Sequence, residues 1–247
     1  MPAAALPVSD EITDLSVRCD ILADLRRRVA SLERGGRPIG SAVGLGIPEI
    51  DGYLPEGGLT VGAVHEFLGA AASALAAVVA GRLAGTVLWC LDVTCREEPY
   101  GPGLAALGLD PSRLVLARCR GAKEMLWVME EGLRSTAPAA VIAEPEADIG
   151  LIESRRLQLA AEVGRTIGMV LRERGGEGCL APSAVASRWQ VDPEPCGGWR
   201  LILRRCRGMV GAENEWKAKY DDASGDLALA AEAGDGPGAA SERFRLV

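Results

Sequence analysis

Short apolar runs alternate with helix-type segments along the middle of the chain, and no other feature of the sequence constrains the fold as strongly. The runs interpreted as strands are 61–68, 86–91, 114–119, 139–143 and 166–171. The helical patterns between them are 70–83, 104–107, 123–134 and 149–163. Buried strands joined through helices form βαβ units, so the alternation predicts an α/β fold with a mostly parallel, twisted sheet flanked by helices.

The pattern changes towards the C-terminus. Segments 187–191 and 199–205, and then 215–220 and 227–230, are each separated by a turn-rich stretch, which predicts antiparallel hairpins at one edge of the sheet. Segment 40–69 is expected to be turn-rich and extended. We therefore divide the chain into an N-terminal segment (1–36), a core (37–211), and a C-terminal hairpin with a flexible acidic tail (212–247).

An amphipathic helix is predicted over residues 20–33, ahead of the core. Its apolar residues share one face, three arginines (26–28) lie on the other sides, and Gly35-Gly36 ends it. The apolar stripe consists of Leu22, Leu25, Val29 and Leu32. Such a stripe must be covered, either by the core of the same chain or by another protein.

Composition excludes several classes of function. The chain has 247 residues, a net charge of −7 and a pI of about 5.0, which argues against a dedicated nucleic-acid binder. Its seven cysteines form no C-x-x-C pair and it has one histidine, so we expect reduced thiols and no metal site. No signal peptide is recognisable, and the longest apolar stretch, 70–80, is too short to cross a bilayer. We therefore expect a cytoplasmic protein without membrane contact.

Several runs resemble a known family in their order along the chain. The segment GLGIPEIDGYLPEGGLTVG (44–62), the strand VHEFLG (64–69), the lead-in LGLDPSRL (107–114) and AVIAE (140–144) resemble the core of RecA-type recombinases. Together with TVLWCLD, YGPGLAALGLDPSRLVLAR, KEMLWVMEEGLRS, SRRLQLAAEVG and PSAVASRWQV, they are similar to the inducible mutagenesis protein A (ImuA) family, a divergent branch of RecA-like proteins. The resemblance covers roughly residues 20–230 and implies a RecA-like core.

The phosphate-binding loop of that core has the form G-x-x-x-x-G-K-[ST], in which the lysine contacts the phosphates and the hydroxyl holds Mg²⁺. The corresponding segment runs from Gly69 through Ser73 to Ala76. Ala74 stands at the second glycine, Leu75 at the lysine and Ala76 at the hydroxyl position. Gly69 and Ser73 alone would offer only a weak anion site, so the segment is expected to be a core-packing helix. We predict no enzymatic activity, no cofactor and no metal.

For the other polar residues considered, the sequence favours structural roles over catalytic ones. Glu144 stands where the family keeps a magnesium-organising acid, but a structural or solvated role is favoured. Asp92, Glu97 and Glu98 follow the second strand with a spacing that differs from that of recombinases. His65 is expected to be a hydrogen-bonded core residue. A solvated face is favoured over phosphate contacts for the arginines, namely Arg155, Arg156, Arg172, Arg174 and Arg188.

The resemblance implies an adaptor in damage-induced (SOS) mutagenic translesion DNA synthesis. Its implied partners are an ImuB-type Y-family-like protein and an error-prone C-family DNA polymerase, with RecA as a further candidate. Homo-oligomers are a further expectation, and DNA contact would be weak or indirect. The residues expected to bind partners are the helix stripe Leu22, Leu25, Val29 and Leu32, with Trp216 and Tyr220 in the C-terminal segment. Two alternatives remain open: an ATP- and DNA-binding RecA-like ATPase, and an SOS-induced inhibitor of cell division.

Overall fold

A computed structural model describes residues 42–95, 98–146, 148–172, 182–195, 197–209, 211, 213–221 and 226–230. The helices are α1 (Pro48–Tyr53), α2 (Ala72–Gly81), α3 (Gly101–Ala106), α4 (Gly121–Arg134) and α5 (Leu151–Gly164). The strands are β1 (Ala42–Val43), β2 (Leu59–Thr60), β3 (Val64–Leu68), β4 (Thr86–Asp92), β5 (Leu114–Cys119), β6 (Pro138–Ala143), β7 (Ile167–Arg172), β8 (Ser187–Pro193), β9 (Trp199–Cys206), β10 (Asn214–Asp221) and β11 (Asp226–Leu229). The predicted N-terminal helix and the tail beyond residue 230 lie outside the described residues.

Among the described residues, nine strands form one sheet in the order β11-β10-β9-β8-β3-β7-β6-β4-β5. The six strands from β8 to β5 are parallel, whereas β9, β10 and β11 continue the sheet as antiparallel neighbours. This arrangement confirms the predicted α/β class, with a RecA-like core and antiparallel hairpins at one edge. The predicted boundary at residue 211 falls in the turn between β9 and β10, and the division into segments stays a prediction.

The predicted strands and helices of the core are all present, with ends shifted by no more than three residues. The difference lies before β3, where the sequence predicted only turns and extended chain. There the structure has α1 and the short antiparallel pair β1–β2. Helix α1 has six residues with Pro48 in its first turn, and Asp51 accepts hydrogen bonds from the backbone of Leu45 (2.7 Å) and Gly46 (3.0 Å). A helix this short shows no periodic apolar pattern.

Helices cover both faces of the sheet. On one face, α2 packs over β3, β6, β7 and β8, and the hydrophobic core there includes Leu75, Val79 and Trp89. On the other face, α4 and α5 lie side by side over a second core that includes Met129 and Leu157. None of the helices in the described part of the chain is long and apolar enough to span a membrane.

His65 connects three strands through a buried hydrogen-bond network. Its Nε2 donates to the carbonyl oxygen of Thr60 (3.0 Å), because a carbonyl can only accept. Its Nδ1 therefore accepts from the hydroxyl of Ser187 (2.7 Å), whose oxygen also accepts from the indole of Trp189 (2.9 Å). The expected role of His65 as a hydrogen-bonded core residue is confirmed. Burial lowers the pKa of His65 to about 4, with a smaller contribution from the charge of Arg207.

This low pKa predicts a stability loss in mild acid. The folded protein keeps His65 neutral, whereas the unfolded chain binds a proton below pH 6.5, so stability falls as the pH drops from 6.5 towards 4. Between pH 7 and pH 5 the loss should be about 2 kcal/mol. Urea unfolding of the wild type and of His65→Gln measures it, and the variant should show a flatter pH dependence. Equal slopes in the two proteins would contradict the assignment, since His65 is the only histidine.

Candidate functional site

The segment that corresponds to the phosphate loop is a three-residue turn between β3 and α2. Gly69 adopts a φ of +103°, which favours glycine. Its N–H donates to the carbonyl oxygen of Arg172 (2.8 Å), and the N–H of Ala71 donates to that of Val191 (3.1 Å). A phosphate loop needs such N–H groups to face the ligand. In this turn both are used to attach the loop to neighbouring strands.

The end of β8 fills the space above Gly69. A Cβ added at Gly69 would lie 2.5 Å from both Asp192 Oδ1 and the Val191 carbonyl oxygen, and 2.8 Å from the side-chain amide of Gln190. That amide donates to Asp192 (3.0 Å), which holds the carboxylate beside the turn. A carboxylate and a carbonyl oxygen at this position repel a polyphosphate.

The residues that stand at the second glycine, lysine and hydroxyl positions of a phosphate loop lie inside α2. The helix begins at Ala72, so Ala74, Leu75 and Ala76 are helical, and the latter two are fully buried in the core. Ala74 is half-buried and Ser73 is exposed. The sequence-based interpretation of this segment as a core-packing helix agrees with the structure. Leu75 contributes to the hydrophobic core and does not line the turn at Gly69.

Substitutions on α2 test this placement. Leu75→Lys should destabilise the protein by about 3–5 kcal/mol, because it buries an unpaired charge. Ser73→Lys on the exposed side of the same helix is the matched control and should change stability by no more than about 0.5 kcal/mol. Urea unfolding with and without Mg-ATP measures both variants. A stable Leu75→Lys variant that ATP stabilises further would place residue 75 at a nucleotide site.

A buried ion cluster lies next to the turn, on the opposite face of the sheet from α2. Glu66 Oε1 accepts from Arg172 Nη1 (2.9 Å), and its Oε2 accepts from Arg188 Nε (2.5 Å). Arg172 also pairs with Asp148. The side chain of Glu66 is 3% exposed, and those of Arg172 and Arg188 are each 9% exposed. The two charges of each sign in the cluster compensate one another.

Arg172 and Arg188 were predicted to lie on a solvated face. That prediction was wrong, because both lie in the ion cluster around Glu66. The parallel pairing sets Arg188 directly opposite Glu66, and Arg172 opposite Leu68, two residues further on. Side chains two residues apart share a face of the sheet, so both arginines meet Glu66. On α5, Arg155 and Arg156 are exposed, and Arg156 pairs with Glu130 (2.5 Å). Arg174 lies outside the described residues.

The ion cluster generates a second stability prediction. Glu66→Gln should cost about 3–5 kcal/mol, because it removes the negative charge that Arg172 and Arg188 share in a site with little access to water. Glu98→Gln is the control, since Glu98 pairs with Arg118 at the surface and its loss should cost less than about 1 kcal/mol. Chemical unfolding at pH 7 compares them. Equal costs for the two variants would show that the cluster is not held as the structure describes.

Each described acid considered in the sequence has a structural partner. Glu144 accepts from the indole N–H of Trp89 (2.7 Å). Asp92 accepts from the hydroxyl (2.6 Å) and the N–H (2.8 Å) of Thr94 and from the N–H of Gly121 (3.0 Å), and these bonds lower its pKa. Glu97 lies outside the described residues. Sequence reasoning missed Glu66, although a charged residue in an otherwise apolar strand was a usable signal.

The residues predicted to bind partners are only partly described. Trp216 and Tyr220 on β10 are half-buried and pack against the α2-side core. The Trp216 ring lies edge-on to Tyr53 (centroids 5.3 Å apart) and tilted against Trp189 (6.0 Å). Leu22, Leu25, Val29 and Leu32 lie outside the described residues. The role of all six at a partner surface stays a prediction.

Comparison with known proteins gives matches along most of the chain. The chain is 35% identical, over 87% of its own length, to the protein ImuA of two strains of Caulobacter vibrioides, and it covers 93% of those proteins. It is also 31% identical, over 39% of its length, to the cell division inhibitor SulA of Edwardsiella piscicida, of which it covers 55%. No protein-family model matches the chain.

Proposed function

The chain belongs to the ImuA family, and from this premise we propose that it is a non-catalytic, cytoplasmic adaptor of damage-induced, mutagenic translesion DNA synthesis. Its proposed partners are an ImuB-type Y-family-like protein and an error-prone C-family DNA polymerase. RecA is a further candidate partner. The role of the adaptor is to hold these proteins together, and it needs no nucleotide chemistry of its own.

The observation that carries the non-catalytic part of the proposal is the burial of Leu75 and Ala76. Charge-assisted hydrogen bonds from a phosphate-loop lysine contribute about 1.5–3 kcal/mol each to nucleotide binding. Leucine provides none of them, and alanine provides no ligand for Mg²⁺. The backbone of the turn also bonds to β7 and β8. These features disfavour the alternative of a functioning ATPase.

A cell-division inhibitor is the second candidate, because part of the chain is similar to SulA. That match covers 39% of the chain, whereas the match to ImuA covers 87% at higher identity. The longer match favours the adaptor. Cells that overproduce this chain should keep their normal length, and filamentous growth would favour the division inhibitor instead.

Binding measurements with purified proteins test the adaptor directly. The chain should form a complex with the ImuB-type protein whose affinity is the same with and without Mg-ATP, since the proposed contact needs no nucleotide. Calorimetry with Mg-ATP alone should give no binding in the micromolar range. The double variant Leu25→Asp/Val29→Asp should weaken the complex at least about tenfold, because two charges would interrupt the predicted apolar stripe.

Arg27→Asp is the matched control, because helical spacing puts Arg27 opposite the stripe. It should leave the complex intact. Micromolar ATP binding would overturn the non-catalytic assignment. The adaptor proposal would be overturned if the chain bound neither the ImuB-type protein nor the C-family polymerase, whether each was offered singly or both together.

A further inference from the structure

Helix α5 buries two polar residues beside Leu157, Ala160 and Ala161, and exposes large aliphatic residues on its outer side. Its buried side carries Ser154, whose hydroxyl oxygen accepts from the N–H of Ala184 (2.9 Å), and Gln158, whose Oε1 accepts from the N–H of Val64 (3.1 Å). Its outer side carries three aliphatic residues, Ile152 (74% exposed), Leu159 (45%) and Val163 (64%). At 3.6 residues per turn these three fall on one stripe, opposite the sheet.

Helix α4 extends this apolar stripe. Trp127 is 60% exposed. It lies about one turn before Glu130 on α4, and Ile152 lies about one turn before Arg156 on α5. Glu130 and Arg156 bridge the two helices, so Trp127 and Ile152 lie at the same level of the helix layer. We call the four residues Trp127, Ile152, Leu159 and Val163 the helix-layer patch. Exposed apolar residues that include an aromatic side chain and have charged neighbours are typical of a protein interface.

The charges on α5 indicate which partner covers the patch. Arg155 and Glu162 lie on the same flank of the stripe, seven residues or about 10.5 Å apart. If two copies of α5 pack antiparallel, the Arg155 end of each helix meets the Glu162 end of the other. In the same arrangement Ile152 of each copy lies opposite Val163 of the other. A two-fold interface requires such self-complementarity, whereas an unrelated partner does not.

Two neighbouring helices of 14 residues each span about 21 Å by about 20 Å. We propose that the helix-layer patch binds a second copy of this chain, with the α4–α5 layers stacked face to face and antiparallel around a two-fold axis.

Sedimentation velocity of the purified full-length chain over a range of micromolar concentrations tests the proposal. At the upper end of this range the wild type should be a dimer and Leu159→Glu a monomer. At a concentration low enough for the wild type to be monomeric, the two proteins should unfold at the same temperature. Tyr100→Glu is the matched control: Tyr100 is another exposed aromatic residue (73%), and it lies just before α3. It should leave the dimer unchanged.

Charge reversal identifies the two-fold axis. Arg155→Glu and Glu162→Arg should each raise the dimer dissociation constant about tenfold, because each places two pairs of like charges across the axis. The double variant should restore the wild-type constant. A wild type that is monomeric at every concentration, a dimer that survives Leu159→Glu, or a double variant without restoration would each overturn the proposal. These measurements need no other protein, so their failure would leave the proposed adaptor role unaffected.

Discussion

The complete burial of β3 is the constraint on which the rest of the structure depends. The strand lies between β7 and β8 and has all five residues buried, yet two of them, His65 and Glu66, are polar. Their side chains point to opposite faces of the sheet, so each face must supply its own partners. Ser187 and Thr60 satisfy the histidine, and the two arginines on β7 and β8 satisfy the glutamate. A slip of one residue in the pairing of β3 would leave both groups buried without partners, so the polar pair specifies the register of the central strands.

The same burial explains how the phosphate loop can change without loss of the fold. In a nucleotide-binding core the first helix presents a lysine and a hydroxyl to the ligand and so gives up apolar contacts at its N-terminal end. Here Leu75 and Ala76 pack into the core, and the end of β8 closes over Gly69. The helix contributes more to stability in this form, because aliphatic side chains replace groups that would need solvation or a ligand. The change is therefore local, and the surrounding sheet keeps its RecA-like order.

The sequence predicted the strands and helices of this fold better than it predicted the contacts between strands that are distant in sequence. Apolar runs and helical spacing depend on local sequence, so the strands and helices predicted between residues 61 and 230 are all present, with ends within three residues. Helix α1 was missed because six residues are too few for a periodic signal. The ion cluster was missed for a different reason. Arg172 and Arg188 meet Glu66 only through the register of three strands that are distant in sequence, and no local pattern contains that register.

Helix α5 shows the same limit at the surface. Apolar residues occur all around this helix, so its sequence does not say which stripe faces the sheet. The structure identifies the buried side through polar residues, because Ser154 and Gln158 satisfy backbone N–H groups that would otherwise be buried without partners. Leu157, Ala160 and Ala161 pack on this buried side, while Ile152, Leu159 and Val163 are left exposed on the other. If the loop at Gly69 does no chemistry, the function of this fold depends on its surfaces, and the outer face of α5 is a surface whose exposed aliphatic residues its own core does not explain.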